Sequence, residues 1–408
     1  MKKIGILTFA RVANFGANLQ ALSTYCFFKK RGYIPIFIDW EPYDFAKRQN
    51  LEAMTTQGKA HFDFFDSNCQ KTRKCRDEKD IVNIVEEENM CAIIVGSDAV
   101  LQHHPLITRI VFPTKHLYYI EKTDSARMFP NPFWGSFKSS LKRDIPLVMM
   151  SGSSQNSPYK WFSRNTKRRM SECLKGFSYI SVRDIWTQKM VSNITNGFVN
   201  PDISPDPVFA FNYNCKELIP SRCQIFEKYN LPDCYYLVSM LDDKVLTKDW
   251  LDDLKKEAKG VGVECVALPM PDGIKFRHNF DYEIPTPLSP IDWYALIKYS
   301  KGYIGQNMHP AVVALHNSLP VYSFDTYGVT KFWKLKCVDM SSKIYNVLCD
   351  FGCDMNRTPV NVRYYKLPRP QDVVFKMKST NITDLQRCSE QKYELYSSMM
   401  STIVKFLK

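Results

Sequence analysis

The stretch IGILTFARVANFGANLQALSTYCFFKKRGYIPIFID, residues 4–39, decides the fold of this chain. Its apolar run Ile4–Phe9 predicts a strand, which a polar loop connects to a helix from about Asn18 to Arg31. A second apolar run, Ile34–Asp39, predicts the next strand. Two strands joined by one helix within this length are typical of a right-handed βαβ unit, and so of a parallel sheet.

The rest of the first half repeats this pattern of buried strands that end in polar residues. Residues 43–80 are polar, basic and aromatic and predict a helix with loops. Three further apolar runs follow: Cys91–Val95, Leu147–Met150 and Tyr179–Val182. They end in Gly96-Ser97-Asp98, in Ser151-Gly152 and in Arg183-Asp184. Small, polar and charged residues at strand ends are expected at the ligand-binding edge of a doubly wound sheet.

Prolines crowd between residues 200 and 215, and a second series of strands and helices starts after them. The sequence therefore predicts an α/β protein with two Rossmann-like domains that face a cleft, a GT-B-like architecture. The N-terminal domain (residues 1–210) would form the acceptor side, and the C-terminal domain (residues 211–345) the donor side. Residues 346–408 are expected to contain an irregular segment, over about residues 345–385, and then a C-terminal helix, Thr383–Lys408, that returns to the first domain.

Composition supports a packed globular protein. Of the 408 residues 45% are hydrophobic and 24% charged, and no apolar run approaches the ~20 residues that span a bilayer. The short apolar start lacks the features of a signal peptide, so a cytoplasmic protein is expected. The net charge of +13 indicates an anionic partner, either a phosphorylated substrate or the inner membrane face. Basic residues are spread along the chain without a nucleic-acid-binding motif, so nucleic acid is not expected.

The thirteen cysteines are scattered and odd in number, which disfavours a disulfide framework. Two pairs, Cys69 with Cys75 and Cys349 with Cys353, are close in sequence. Neither has the two-residue spacing of a zinc knuckle, and no histidine cluster lies beside them. The sequence predicts neither a metal site nor a cofactor.

The loop from Asn14 to Gln20 is the most informative local feature. Gly16 permits close approach of the backbone, and the helix start offers unpaired N–H groups. The glycine fingerprint of dinucleotide binding is absent, which argues against a nicotinamide cofactor. The amides of Asn14, Asn18 and Gln20 favour a ligand with hydroxyl groups, although a plain turn capped by Asn18 would also explain the pattern.

Several motifs, in this order, resemble the polysaccharide pyruvyl transferase family. They begin with Asn14-Phe15-Gly16-Ala17-Asn18-Leu19-Gln20-Ala21 and Ile94-Val95-Gly96-Ser97-Asp98. They continue with Ile180-Ser181-Val182-Arg183-Asp184, Ser204-Pro205-Asp206-Pro207, and His309-Pro310-Ala311 before Leu319-Pro320-Val321. The resemblance covers about residues 1–330. It implies a GT-B-like fold and the transfer of pyruvate from phosphoenolpyruvate onto two hydroxyls of a sugar, as a ketal.

The residues can be matched to this chemistry independently. His309 is the best acid–base candidate because imidazole titrates near neutral pH, and the helix start at Pro310 could hold the phosphate. Arg183 is the expected anion ligand and second catalytic residue, although pairing with a carboxylate would make it a structural strut. Arg277 and His278 could close over the donor. Gly96, Ser97, Asp98 and Ser151 complete the predicted acceptor side, where Asp98 could instead cap a helix.

The chain departs from the family pattern at one position. Many members carry an arginine two residues before the histidine, and this chain has Asn307 there. Another cation must then neutralise the donor, and the sequence nominates Arg277. Asn307 itself remains a candidate donor contact.

Two other functions fit the sequence. A nucleotide-sugar glycosyltransferase of the same architecture would need an acidic residue for the ribose, for which Asp325 is the candidate. A binding or scaffold protein without catalysis is suggested only by Asn307. The leading hypothesis is pyruvylation of a lipid-linked glycan during the synthesis of a bacterial surface polysaccharide such as a capsule. The acceptor sugar and the oligomeric state cannot be read from the sequence.

Overall fold

The chain is described by a computed structural model covering residues 2–104, 109–114, 117–121, 124–155, 157–241 and 245–407. Two six-stranded parallel sheets form the centres of two domains. This is the predicted α/β architecture. The first sheet has the strand order β2-β1-β3-β6-β7-β8. Its strands are β1 (Lys3–Leu7), β2 (Ile34–Phe37), β3 (Ala92–Asp98), β6 (Leu147–Gly152), β7 (Tyr179–Val182) and β8 (Asp202–Ile203).

The second sheet has the order β11-β10-β9-β12-β13-β16. Its strands are β9 (Tyr235–Ser239), β10 (Glu264–Ala267), β11 (Tyr282–Glu283), β12 (Tyr303–Gly305), β13 (Val321–Asp325) and β16 (Arg357–Pro359). Two antiparallel hairpins lie outside these sheets: β4 (Arg109–Thr114) with β5 (Leu117–Glu121), and β14 (Val329–Lys331) with β15 (Lys336–Val338). The carboxyl ends of parallel strands meet at one edge of each sheet, where ligands bind in such folds.

Helices cover both sheets and connect their strands. In the first half they are α1 (Phe15–Lys30), α2 (Tyr43–Ala53), α3 (Thr56–Asn68), α4 (Glu78–Glu87), α5 (Arg164–Lys175) and α6 (Ile185–Ile194). After these come α7 (Phe211–Asn214), α8 (Arg222–Tyr229), α9 (Lys248–Lys259), α10 (Pro290–Lys298), α11 (Met308–His316), α12 (Lys343–Asp350), α13 (Pro370–Ser379) and α14 (Ile382–Phe406).

The segment predicted to be irregular, residues 345–385, is more regular than the sequence suggested. It contains most of α12, the edge strand β16 and the helix α13. β16 pairs with β13, and so extends the second sheet. The prolines at 368 and 370 do not break structure, because Pro370 is the first residue of α13, where a missing N–H costs nothing.

Helix α1 begins at Phe15, three residues before the predicted start. Asn14 is the N-cap, and its side chain accepts a hydrogen bond from the amide of Ala17 at 3.1 Å. Asn18 lies within the helix and is buried. Nearly all of α1 is buried because the second domain covers the side that the first sheet leaves open: Phe15 stacks on Trp293 of α10 with ring centroids 4.9 Å apart. A helix enclosed in this way has no polar face to mark its start.

The predicted return of the C-terminal helix to the first domain is confirmed. On α14 the sulfur of Met399 accepts hydrogen bonds from Ser151 and Ser181, at 3.3 and 3.1 Å. The same helix contacts the second domain, where Ser389 donates to the carbonyl of His316 at 2.7 Å. α14 therefore packs against both domains.

All thirteen cysteines are free thiols. Within the described residues, no helix combines the length and the apolar character needed to cross a membrane.

Candidate active site

A cavity of about 280 Å³ lies where the loop after β1, the end of β3 and the first turns of α11 and α12 converge. This volume is close to the lower limit of small-molecule sites, about 300 Å³. Three predicted site residues line it: Asn14, Asp98 and His309. The remaining lining residues are Phe9, Val12, Ala13, Ala17, Phe45, Glu52, Ala99, Gln102, Arg127, Gln155 and Lys343.

His309 lies in the first turn of α11, which begins at Met308, and not before the helix as predicted. Its ring packs directly on the backbone of Gly16, so that a Cβ at position 16 would lie 2.0 Å from its Cγ. The space beside Gly16 is therefore filled by His309 of the second domain. The sequence analysis had assigned this space to a ligand. Nε2 of His309 also lies 3.4 Å from Nε2 of Gln20.

Burial lowers the pKa of His309 to about 4, although the carboxylates of Asp206 and Asp98 act in the opposite direction. The imidazole is therefore neutral at pH 7. A neutral imidazole can accept a proton, which is the role of a general base.

Arg183 is held by carboxylates at the floor of the site. Its Nη1 donates to Oδ2 of Asp206 at 2.9 Å, and its Nη2 lies 3.8 Å from Oδ1 of Asp98. Asp206 is buried and also accepts hydrogen bonds from Gln20 and from the amide of Val208. The strut alternative thus describes the observed contacts of Arg183, with Asp206 as the partner. Asp98 does not cap a helix; it ends β3 and points a carboxylate into the cavity region.

The other two amides of the opening loop have structural contacts. Asn18 donates to the carbonyls of Ala10 and Val12, at 2.9 and 3.3 Å. Its Oδ1 lies 2.7 Å from Nδ1 of His61. Gln20 is buried and holds Asp206. The structure does not place Asn18 or Gln20 in the lining of the cavity.

The residues predicted at the ends of β3 and β6 are buried beneath the cavity. Gly96 packs so closely that a Cβ would lie 2.4 Å from the carbonyl oxygen of Met150. Ser97 and Ser151 are almost inaccessible, and Ser151 donates to the carbonyl of Pro205 at 2.8 Å. Among these strand-end residues only Asp98 lines the cavity.

The predicted donor loop lies apart from this cavity. Arg277 is exposed and is not among the residues that line the cavity. His278 lies 3.3 Å from a Glu283 carboxylate oxygen, and burial lowers its pKa.

The start of α11 offers fewer free amides than expected. Asn307 is its N-cap, and its backbone N–H donates to the hydroxyl of Tyr303 at 3.1 Å. Pro310 is the third residue of the helix and has no N–H. The predicted phosphate site at Pro310 therefore offers fewer backbone donors than a helix start without proline.

Lys343 is the cation that the sequence did not identify. It is the first residue of α12, it is partly buried, and it lines the cavity together with His309 and Asp98. Burial and the guanidinium of Arg183 lower the pKa of Lys343 to about 8, against the opposing effect of Asp98 and Asp325. Its ammonium group lies 4.4 Å from the centroid of the Tyr327 ring. No motif surrounds it, and only its position in the fold makes it a candidate.

A buried ion pair fixes the start of α12. Asp325 is fully buried and accepts hydrogen bonds from Nε of Arg357 at 2.6 Å and from the hydroxyl of Ser342 at 2.5 Å. Ser342 is the N-cap of α12, directly before Lys343. The carboxylate of Asp325 also accepts a hydrogen bond from the amide of Tyr327 at 2.8 Å. Its oxygens thus accept three hydrogen bonds from groups of the protein itself. It does not offer a free carboxylate to a ribose.

Arg127, Gln102 and Gln155 also line the cavity without having been predicted. They come from loops between strands of the first sheet, whose residue order gives no periodic pattern. In the part of the chain that the structure describes, no group of three or more His, Cys, Asp or Glu residues could hold a metal ion.

A comparison with models of known protein families shows the family to which this chain belongs. The family model described as Polysaccharide pyruvyl transferase matches residues 14–326, about three quarters of the chain. The chain belongs to the polysaccharide pyruvyl transferase family. This membership supports a pyruvyltransferase enzyme and a saccharide acceptor, and it does not favour a scaffold protein without activity. Among curated proteins, no sequence matches the chain.

Solved structures confirm the GT-B-like fold. The structure of UGT89C1 from Arabidopsis thaliana has a TM-score of 0.52 at 9% identity, with coverage of 100% of this chain and 99% of that one. The UDP-GlcNAc 2-epimerase from Neisseria meningitidis, bound to UDP-GlcNAc, has a TM-score of 0.50 at 10% identity, with coverage of 100% and 99%. At such low identity these likenesses concern the fold alone.

Proposed function

We propose that this pyruvyltransferase uses phosphoenolpyruvate as donor and forms a pyruvate ketal across two hydroxyls of a sugar. The acceptor is a lipid-linked glycan for a bacterial surface polysaccharide such as a capsule, and the reaction takes place in the cytoplasm, at the membrane. The observation that carries the proposal is one cavity that contains both a neutral imidazole, His309, and a partly buried ammonium group, Lys343.

The donor needs positive charge because it carries a phosphate and a carboxylate. Lys343 and Arg127 line the cavity and supply two cations that can bind these groups. Lys343 would then take over the role of the arginine that many relatives have where this chain has Asn307. Arg183, held between Asp206 and Asp98, adds positive charge at the floor of the site and positions both carboxylates.

The chemistry needs one base and one acid in the first step. One acceptor hydroxyl attacks C2 of the donor and gives its proton to His309, while Lys343 delivers a proton to C3, which becomes the methyl group. In the second step the other hydroxyl displaces the phosphate from C2, and its proton leaves with the phosphate. The product is the ketal and one inorganic phosphate. One hydroxyl proton leaves on the phosphate, and the other passes from His309 through solvent to Lys343, where it replaces the proton that C3 gained.

The loop after β1 suits the acceptor. Oδ1 of Asn14 caps α1, so the amide –NH₂ of Asn14 can donate to a sugar hydroxyl. Gln102 and Gln155 add two amides to the same lining. The proposal thus keeps Asn14 and Asp98 on the acceptor side and moves the donor from the Arg277 loop to Lys343.

The direct test is turnover in deuterated water. Purified protein, phosphoenolpyruvate and a panel of lipid-linked and soluble glycans should release phosphate. The product should be heavier than the acceptor by one pyruvate less one water. One solvent deuterium should appear in the ketal methyl group, because C3 takes its proton from the enzyme. No phosphate release over the panel, combined with no donor binding in calorimetry, would contradict the proposal.

A paired substitution tests the donor site. Lys343→Met should lower kcat/KM for phosphoenolpyruvate by roughly 100-fold, since a charge-assisted contact to an anion is lost. Lys248→Met is the matched control because Lys248 also starts a helix directly after its N-cap but is exposed. Equal activity of the two variants would remove Lys343 from the site.

The glycosyltransferase alternative has less support, because Asp325, its ribose candidate, is buried and bonded to Arg357 and Ser342. A thermal-shift comparison separates the two hypotheses: phosphoenolpyruvate should raise the melting temperature, and uridine or guanosine diphosphate sugars should not.

A further inference from the structure

The hairpin β14–β15 carries an exposed apolar and basic tip. We define this tip as residues 331–336, Lys331-Phe332-Trp333-Lys334-Leu335-Lys336, all of which are exposed. Trp333 is 92% exposed, Phe332 69% and Leu335 56%. Three large apolar side chains in a row of six are unusual on a solvated surface and mark an interaction site.

The charge of the tip is wholly positive. Three lysines alternate with the apolar residues, and no acidic residue occurs from position 329 to 338. Arg363 adds a further basic residue, since its amide donates to the carbonyl of Lys334 at 2.7 Å. The adjacent Tyr364 is 76% exposed. Aromatic rings flanked by lysines are typical of segments that lie in the headgroup region of an anionic bilayer.

The backbone of the tip holds these side chains outward. Phe332, Trp333 and Lys334 all have positive φ, at 51°, 57° and 69°. Non-glycine residues rarely adopt this conformation, and three in succession do so only where the chain is constrained. Here the two paired strands of the hairpin constrain the ends of the turn. The turn buries none of its three large apolar side chains, so packing within the fold does not explain this backbone conformation.

The base of the hairpin lies next to the start of α12, whose first residue, Lys343, lines the cavity. The hairpin leaves the second sheet after Asp325 and returns at Ser341 and Ser342, directly before Lys343. The amide of Val329 donates to the hydroxyl of Ser341 at 2.7 Å, which closes the hairpin onto the start of α12. A partner that binds the tip is thereby located close to the cavity.

We infer that the tip of this hairpin inserts into the surface of an anionic lipid bilayer and holds the active site at the membrane. The apolar side chains would enter the headgroup region, and the lysines would contact lipid phosphates. This inference rests on the proposed function, because a lipid-linked glycan acceptor is presented at the surface of a membrane. Membrane binding itself needs neither donor nor acceptor, so it can be tested separately.

The test is co-sedimentation of the full chain with vesicles, without substrates. The chain should bind vesicles of phosphatidylcholine mixed with phosphatidylglycerol, and bind pure phosphatidylcholine much less. The triple variant Phe332→Ser/Trp333→Ser/Leu335→Ser should bind the anionic vesicles at least about tenfold more weakly. Lys331→Gln/Lys334→Gln/Lys336→Gln should weaken binding by a similar factor, and added salt should weaken the wild type.

Trp161→Ser is the matched control, because Trp161 is 88% exposed in the other domain. This variant should bind like the wild type. The inference is overturned if the wild type does not bind anionic vesicles, or if the tip variants bind as well as Trp161→Ser does. Turnover of a soluble acceptor should be the same in the tip variants and in the wild type. A failure of the proposed chemistry would abolish that turnover and leave vesicle binding in place.

Discussion

At the scale of single residues, His309 and Lys343 have pKa values displaced in the same direction by the same cause. Burial lowers the pKa of His309 to about 4 and that of Lys343 to about 8. Between these values the imidazole is neutral and the ammonium group is charged. A base and an acid therefore coexist at neutral pH, which is the protonation state that the proposed ketal formation requires.

The pH profile of kcat/KM follows from these values. The active form should be lost below about pH 4, as His309 gains a proton, and above about pH 8, as Lys343 loses one. In Lys343→Arg turnover should be largely lost across the pH range, because a guanidinium can bind the donor but does not release the proton that C3 needs. Initial rates of phosphate release across the pH range provide the measurement. Near wild-type turnover with the same basic limb in this variant would show that another group delivers the proton.

Three of the site residues predicted from the sequence, His309, Asp98 and Asn14, line the cavity. Each of them ends a strand or lies at the start of a helix, although other predicted residues at strand ends, such as Ser151, do not line it. Lys343 could not be found in this way, because its approach to Asp98 depends on how the two domains pack. The substitute cation nominated from the sequence, Arg277, follows a strand in the same manner but belongs to a loop outside the cavity lining.

At the scale of elements, the start of α12 is fixed by the buried pair Asp325 and Arg357. The Arg357 side chain is 5% exposed and also contacts Asp339 at 2.7 Å. Removing one charge of a buried pair leaves the other charge without compensation, which costs far more than the loss of an exposed partner. The two carboxylates that bind Arg357 thus offer a controlled comparison.

Asp325→Asn should lower the free energy of unfolding by about 3–5 kcal/mol. Asp339→Asn should lower it by less than about 1 kcal/mol, because Asp339 is half exposed. Asp325→Asn should also raise KM for phosphoenolpyruvate, since Ser342 and Lys343 lose their support. Urea unfolding followed by circular dichroism measures the first effect, and initial rates measure the second. Similar unfolding midpoints for the two variants would show that Asp325 does not stabilise α12.

The sequence predicted elements best where a short continuous run of buried residues forms a strand. Tyr179–Val182 was predicted with the bounds that the structure has. The sequence pattern places the start of helix α1 at Asn18, because the enclosed first turn, Phe15 to Ala17, has no polar face. The pattern also misses the strand β16 within residues 345–385, because β16 has only three residues and gains its hydrogen bonds from β13, which lies far away in sequence.

At the scale of the whole molecule, the site is built from both domains. Gly16 belongs to the first domain and His309 to the second, and their contact leaves no room for a side chain at position 16. Gly16→Ala should therefore displace His309, and with it the fit between the domains. A displacement of about 1 Å can cost roughly 100-fold in rate.

We expect Gly16→Ala to lower kcat/KM by about this factor while the circular dichroism spectrum stays unchanged. Gly260→Ala is the control, because a Cβ at position 260 would come no closer than 3.4 Å to any other atom. Initial rates of phosphate release compare the two variants. Full activity of Gly16→Ala would mean that the domains can separate enough for catalysis.

The position of helix α14 at the end of the chain affects how the protein folds during its synthesis on the ribosome. Met399 packs on Ser151, a partner that is made 248 residues earlier. At about 5–20 residues per second, the first sheet waits roughly 12–50 seconds for this helix. During that interval the apolar surface that α14 later covers is open to chaperones and to other nascent chains. Translation speed and chaperone supply should thus govern the yield of this enzyme in a host cell.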